Sequence, residues 1–330
     1  MNTFYSNKIW HRIFILIFIF SCLCIHVSSS FAQNYPVKHI RLIVPAPAGS
    51  GPDSDARFVA SRLALILGQP LIIENRPGAG GRIANEAAIK SAPDGYTLLF
   101  GTPGLSTVSA LYNNWPYEIK RDLIPVSLMA ITSYALTVNA AVPAQTVAAY
   151  VTLVKSNPTY SNVATYGVGT PPHLAGSWFG TSTGSDFKYI HYQTTTPFND
   201  LIAGQTSAIF DSLLAVMGHV KAGRLRVLAV TGKKRNPLMP DVPTFTEAGF
   251  PEYKPEVWNG ILAPVGTPRI IIDRLASAIA QMSKQPEVTN YRNSIGSESA
   301  SSTPEEFAAF LEAERTKWAA IIKHSNIKLE

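Results

Sequence analysis

The sequence predicts an α/β protein with largely parallel sheets, built as two domains. Three observations predict it. Short apolar runs alternate with segments of helical spacing along most of the chain, the pattern of strands joined by crossover helices. The 330 residues, 46% of them hydrophobic, are ample for two cores of ordinary size. Five of the apolar runs end in a loop rich in Gly, Ser, Thr or Pro that leads into a helical segment.

The elements follow in order. Residues 39–44 (HIRLIV) form a short apolar strand, and 45–53 a turn-rich loop. Residues 54–67 carry helical spacing at Phe58, Leu63 and Leu67, with Asp53 as the expected N-cap and Gly68 as the stop. Residues 71–73 form a strand, 75–81 (NRPGAGG) a glycine loop, 82–90 a helix and 96–100 a third strand. Residues 126–138 read as strands linking the two domains. The second domain then runs helix 146–156, strand 163–166, helix from 172, strand 188–192, strand 208–211, helix 213–222 and strand 225–231. Residues 258–263 form a strand that returns to the first domain. Thr267 as N-cap and Pro268 as first helical residue open a helix to 282. Thr303-Pro304-Glu305-Glu306 is a capping box opening a helix to about 324. Phe307, Phe310, Leu311, Trp318, Ile321 and Ile322 share one face of it, so this helix is expected to pack across the body as a closing element.

The N-terminus sets the expected compartment. Lys8, His11 and Arg12 precede an apolar run at 13–20 (IFILIFIF), and Ser30 and Ala32 suit a signal-peptidase site before Gln33. The run is shorter than the ~20 residues of a permanent membrane helix. Residues 1–32 are therefore expected to be a cleaved signal peptide, with the mature chain in the periplasm. Both cysteines, Cys22 and Cys24, fall in that segment, so the mature chain has neither a disulfide framework nor a thiolate site. Of the 28 Lys and Arg residues, only Lys8 and Arg12 lie there, against 22 Asp and Glu overall. The mature chain is mildly basic with scattered charges. That pattern favours anionic solutes in general and argues against nucleic acid, which would need a basic stripe.

Enzyme motifs fail on inspection. Gly104-Leu105-Ser106 lacks the second glycine of a nucleophile elbow, and no phosphate loop occurs. Gly78-Ala79-Gly80-Gly81 has Ile83 where a dinucleotide turn needs glycine. The histidines lack metal-ligand spacing. The reading requires no metal, organic cofactor or catalytic residue.

The five loops, at 46–53, 101–107, 167–173, 193–197 and 211–213, share one chemistry. Each aims the free N–H groups and positive dipole of a helix start at one space beyond the strand ends. Together they make an anion site without a buried cation, which suits a carboxylate or phosphate. Ser50, Thr102, Ser106 and Thr170 can add hydroxyls. Asp211 reads first as a helix cap and second as a ligand contact. His173 reads first as a packed or capping residue. Trp178 reads as core, while Tyr192 and Trp258 lie beside loops where they can line a pocket.

Eight stretches in order carry a resemblance. They are IRLIVPAPAGSGPDSDAR (40–57), LGQPLIIENRPGAGG (67–81), APDGYTLLFGT (92–102), GTPPHLAG (169–176), HVKAGRLRVLAVT (219–231), PDVPTFTEAGFP (240–251), LAPVGTP (262–268) and STPEEFAAF (302–310). By these the chain resembles the substrate-binding receptors of tripartite tricarboxylate transporters, the Bug family, over essentially all of the mature length. The resemblance implies a periplasmic binding protein type II fold, two α/β lobes with a ligand cleft between them. It places one lobe at 33–135 and 256–330 and the other at 136–255. It implies capture of a small carboxylate-bearing solute (a di- or tricarboxylate, amino acid or aromatic acid) for delivery to the membrane subunits of such a transporter. The carried-over site is Ala48, Gly49, Ser50, Gly51 and Asp53 in the first loop, with Gly169, Thr170 and His173 in the third. Thr102, Gly104, Ser106 and Asp211 complete the cleft, and Tyr192, Thr194 and Trp258 are expected on its wall. The chain departs from the family pattern at Ala46, Gly49-Ser50, Pro52, Gln193 to Thr196 and Asn259, which leads to the expectation of a more polar pocket. Two other readings compete: a ligand-sensing co-receptor for a membrane signalling protein, and an exported α/β hydrolase, for which no nucleophile–base pair presents itself.

Overall fold

The computed structural model of the chain describes residues 35–112, 114–192, 197–324 and 327. The expected signal peptide, Gln193 and Thr194 lie outside the described residues. In chain order the elements are β1 (Ile40–Val44), α1 (Gly51–Leu67), β2 (Leu71–Asn75), α2 (Arg82–Ile89), β3 (Thr97–Gly101), α3 (Pro103–Leu111), α4 (Ile119–Asp122) and β4 (Leu123–Asn139). Then come α5 (Val147–Ser156), β5 (Asn162–Thr165), α6 (Pro171–Thr183), β6 (Lys188–His191), α7 (Phe198–Ile202), β7 (Ala208–Ser212), α8 (Leu213–Lys221) and β8 (Leu225–Val230). The chain ends with β9 (Glu256–Pro264), α9 (Arg269–Ser283), α10 (Pro286–Ser294), β10 (Ser297–Ser299) and α11 (Pro304–His324).

The strands form one sheet path, β2-β1-β3-β9-β4-β7-β5-β6, with β8 and β10 also on β4. β1 pairs in parallel with β2 and β3, and β5 with β6 and β7. Both parallel groups are covered by helices, so β1, β3 and β7 read as nearly unbroken apolar runs. The long strand β4 joins the groups. Its first part pairs with β9 and β10, and its last part with β7 and β8. Register shifts at Pro125/Ser127, Leu128/Ala130 and Leu136/Thr137 bend it on the way.

Two large cores lie on either side of this crossing. One gathers Leu42, Val59, Leu63, Phe100, Ile272 and Leu275. The other gathers Leu136, Tyr150, Phe179, Phe187, Phe210 and Tyr253. Among the described residues, no helix is long and apolar enough to cross a membrane.

Helix starts follow their capping chemistry, with two corrections. Thr146 accepts from the Ala149 N–H and opens α5. The capping box at α11 is formed: Thr303 Oγ1 accepts from the Glu306 N–H at 3.1 Å, and Glu306 Oε2 accepts from the Thr303 N–H at 2.8 Å. α1, however, begins at Gly51 with Ser50 at the N-cap position, so Asp53 lies in its first turn rather than capping it. α9 begins at Arg269 with Pro268 at the cap position, and Thr267 Oγ1 donates to the Pro264 carbonyl instead.

Thr303→Ala should lower unfolding stability by about 1 kcal/mol, and Thr303→Ser should restore it. Urea unfolding of both variants at neutral pH is the check.

Candidate functional site

Six described helices start with Ser or Thr at the N-cap position, and they divide into two kinds. Thr146, Ser212 and Thr303 bond back to their own helix. Ser50, Thr102 and Thr170, which open α1, α3 and α6, make no such bond. Ser50 Oγ donates to the Pro47 carbonyl at 2.6 Å, and Thr170 Oγ1 donates to the Gly167 carbonyl at 2.8 Å. Both hydroxyls thus turn into their loops and do not cap; Pro52, Pro103, Pro171 and Pro172 carry no N–H, so the donors of these first turns include the amides of Gly51, Gly104 and His173. Ala48, Gly49 and Gly51 are exposed, and a Cβ at Gly49 or Gly51 would meet nothing within 4 Å.

Asp53 is 2% exposed and fully engaged. Its Oδ2 accepts from the Gly49 N–H at 2.8 Å and from Arg57 Nε at 2.9 Å, and its Oδ1 accepts from Asn75 Nδ2 at 2.8 Å. Chiefly the Arg57 bond holds this carboxyl low, at about 2, aided by the Gly49 and Asn75 bonds against the opposing effect of burial. Asp53 therefore shapes the first loop and takes up the Gly49 N–H; it has no side-chain oxygen left over for a solute. Arg57 and Asn75, which complete this clamp, were not among the expected site residues.

In the second loop only Thr102 is partly open. Gly104 and Ser106 are buried, and a Cβ on Gly104 would stand 2.5 Å from the Gly80 carbonyl. The glycine loop at 78–81 is thus packed against the start of α3, a close approach that requires Gly104. Ser106 Oγ is buried without a hydrogen-bond partner.

In the third loop His173 faces inward. Its Nδ1 accepts from the Gly169 N–H at 3.0 Å, and its ring packs edge-on against Tyr189 and His191. Burial, with a smaller effect from His191, pushes this imidazole down to about 4, so it is neutral at pH 7. His191 Nδ1 in turn pairs with Thr165 Oγ1 at 2.6 Å. His173 is a brace for the loop on this geometry.

Asp211 is 8% exposed and is not the cap of α8, a role Ser212 fills. Its Oδ2 accepts from Tyr166 Oη at 2.7 Å and its Oδ1 from the Ser212 N–H at 2.6 Å. Burial outweighs these bonds and pushes the carboxyl up to about 6. Tyr166, the partner from the third loop, is 38% exposed and was missed. The signal for it was an aromatic residue immediately after a strand.

Two wall residues differ from expectation. Tyr192 is half-buried and its hydroxyl donates to Asp200 Oδ2 at 2.8 Å, tying it to α7. Trp258 is 1% exposed, edge-on against Phe307 and Phe310, so it belongs to the core beneath the strand ends and not to an open wall. The sequence departures do not all line the cleft either. Ala46 is part of the first core. Asn259 Nδ2 donates to Asp55 Oδ2 at 2.5 Å, and Asp55 Oδ1 pairs with Arg292 Nη1 at 2.5 Å, an inward ion pair between α1 and α10. Among the described residues, no group of three or more His, Cys, Asp or Glu can hold a metal ion.

Comparison with known proteins agrees with this architecture. The family model for TctC, the tripartite tricarboxylate transporter family receptor, matches residues 56–327. BugT of Bordetella pertussis is 33% identical over 302 residues, spanning 91% of this chain and 93% of BugT. An R. palustris protein solved with adipate has a TM-score of 0.81 at 31% identity, covering 89% of this chain and 99% of that one. MatC from Rhodopseudomonas palustris with bound malate has a TM-score of 0.78 at 27% identity, covering 87% and 100%. The fold is therefore the type II binding-protein fold, two α/β lobes with a ligand cleft.

Asp211 and His173 should pull stability in opposite directions with pH. Folding raises Asp211 from 3.8 to about 6, so its contribution falls as pH rises through that window. Folding lowers His173 from 6.5 to about 4, so its contribution falls as pH drops through that window. In urea titrations between about pH 4 and 6.5, Asp211→Asn should make stability climb more steeply with pH, and His173→Asn should flatten or reverse the climb. A slope unmoved by both replacements would contradict these environments.

Proposed function

Because the chain belongs to the TctC family of tripartite tricarboxylate transporter receptors, we propose that it captures a small organic carboxylate in the cleft between its lobes and hands it to the membrane subunits of such a transporter. The observation that carries the ligand class is the set of uncapped helix starts at Ser50, Thr102 and Thr170. A Ser or Thr at this position ordinarily accepts from its own helix. Here three hydroxyls withhold that bond, and the dipole ends, with the N–H groups of Gly51 and His173 in the first turns of α1 and α6, suit an external anion. A carboxylate offers two oxygens, so one ligand group can be shared between α1 and α6. The adipate and malate held by two structural relatives support the same class.

Residues 33–135 with 256–330 form one lobe in this reading, and 136–255 the other. The separate cores and the passage of β4 and β9 between them support that division. The mature protein works in the periplasm after export, and the solute leaves chemically unchanged. Ala48, Gly51, Thr102 and Thr170 contribute the contacts to the acid, while the Gly169 N–H is held by His173. Asp53 and His173 hold the two gripping loops in shape. Tyr166 and Asp211 flank the remainder of the ligand.

The test is thermal unfolding against malate, adipate and their neutral diamides. A binding acid at 100 times its Kd should add about 2.7 kcal/mol. That is a rise of several degrees, at roughly 2–4 °C per kcal/mol. The diamides should do nothing, and the acid should be recovered intact. Thr170→Asp should keep or slightly raise stability, because a carboxylate caps α6 from within, yet weaken the acid by about tenfold or more. Thr170→Ser should bind as before. Stabilisation by the diamides, or consumption of the acid, would overturn the proposal.

A further inference from the structure

The C-terminal helix touches both lobes at a telling place. Trp318 and Ile322 of α11 form one apolar cluster with Leu111 of α3 and Leu174 of α6, joined by Ala110, Tyr112 and Trp178 at its margin. Trp318 is 1% exposed and meets Trp178 edge-on, with centroids 5.9 Å apart and planes at 79°. Its Nε1 donates to Glu314 Oε2 at 3.0 Å, and Glu314 is itself buried. Lys317 pairs with Glu314 and also donates to the Lys254 carbonyl at 3.3 Å, just before the returning strand β9. The indole is thus fixed in rotation as well as in depth.

The two helices that Trp318 joins are two of the three whose starts are uncapped. α3 begins at Thr102 in one lobe, and α6 begins at Thr170 in the other. Leu174 lies one turn behind Thr170, and its N–H donates to the Thr170 carbonyl at 3.0 Å. Leu111 is the last residue of α3, a helix of nine residues. A helix of that length moves nearly as a rigid rod, so a shift at its far end is passed to its start. The covalent crossings β4 and β9 leave the lobes free to turn about them. The cluster around Trp318 is a third, non-covalent link, placed behind both gripping ends.

We propose that Trp318 is a positioning residue for ligand capture: through α3 and α6 it sets the spacing of the two uncapped helix starts across the cleft. This rests on the carboxylate-binding reading above. It touches no solute and acts only through the two helices. Apolar packing suits the task, because interdigitated side chains have few alternative seatings and so transmit displacement. The buried Glu314–Trp318 bond adds a directional restraint that an aliphatic residue lacks.

The test measures malate and adipate binding by calorimetry for Trp178→Phe, Trp318→Phe and the double variant, with melting temperature alongside. These replacements keep an aromatic ring at each site so that the chain folds, and Trp178→Ala supplies a harsher change at the half-buried partner. Affinity should drop about tenfold in Trp178→Ala. The two Phe variants should be non-additive in Kd, and not only in stability. Hydrogen exchange on the ligand-free protein gives a reading independent of any acid. Trp318→Phe should speed exchange at the starts of both α3 and α6, with α1 unchanged. If the unaltered protein binds neither acid, the carboxylate reading has failed, and the exchange result alone decides the positioning role. If melting falls while Kd, the cycle and exchange at both helix starts stay put, Trp318 is a core residue only and the proposal is overturned.

Discussion

Everything in this molecule hangs on the pairing of one strand. β4 runs 17 residues, and its two ends answer to different partners: β9 and β10 at first, β7 and β8 at last. Each parallel group of strands carries its own helices and its own core. Only through β4 and its antiparallel companion β9 do those groups become one sheet. The register shifts along β4 let a strand too long to stay flat change direction while its backbone groups remain bonded. The strand ends that lead into the uncapped helix starts are therefore placed by this ladder, and packing behind the helices acts within the frame it sets.

Much of this was legible in the chain itself. Alternating apolar runs and helical spacing are strong signals where strands are covered on both faces, as β1, β3 and β7 are. Thr146 and Thr303 announced their helices because capping chemistry acts over three residues. Local signals failed where the decisive neighbour is distant in sequence. α10 was not anticipated, since among its residues only Val288 and Arg292 are buried and no apolar stripe marks it. The start of α1 lies three residues before the sequence expectation, because Gly51 and Pro52 read as turn residues although proline is at home in a first helical turn.

The candidate site divides in the same way. That Gly-, Ser-, Thr- and Pro-rich loops lead into the starts of α1, α3 and α6 is legible in composition alone. Which side chains face the cleft is not. Asp53 is consumed by Arg57 and Asn75, Trp258 is covered by Phe307 and Phe310 of the last helix, and Asn259 serves an inward ion pair. Each of these outcomes depends on a partner that spacing cannot reveal. The charges are informative in aggregate. Asp53 and Asp55, the buried carboxylates of α1, are matched by arginines, as burial requires. In the proposed carboxylate grip, by contrast, the attraction for an anion rests on peptide dipoles.

That last feature bears on heredity. A grip made of peptide amides is written in no particular codon. Every amino acid but proline supplies the N–H, so in the proposed grip random substitution at Ala48 or Gly51 rarely deletes a donor, though it can crowd it. The surrounding side chains enjoy no such immunity. A lineage built on this plan can thus drift widely in what it recognises beyond the first carboxylate, while the means of holding that carboxylate passes on nearly untouched.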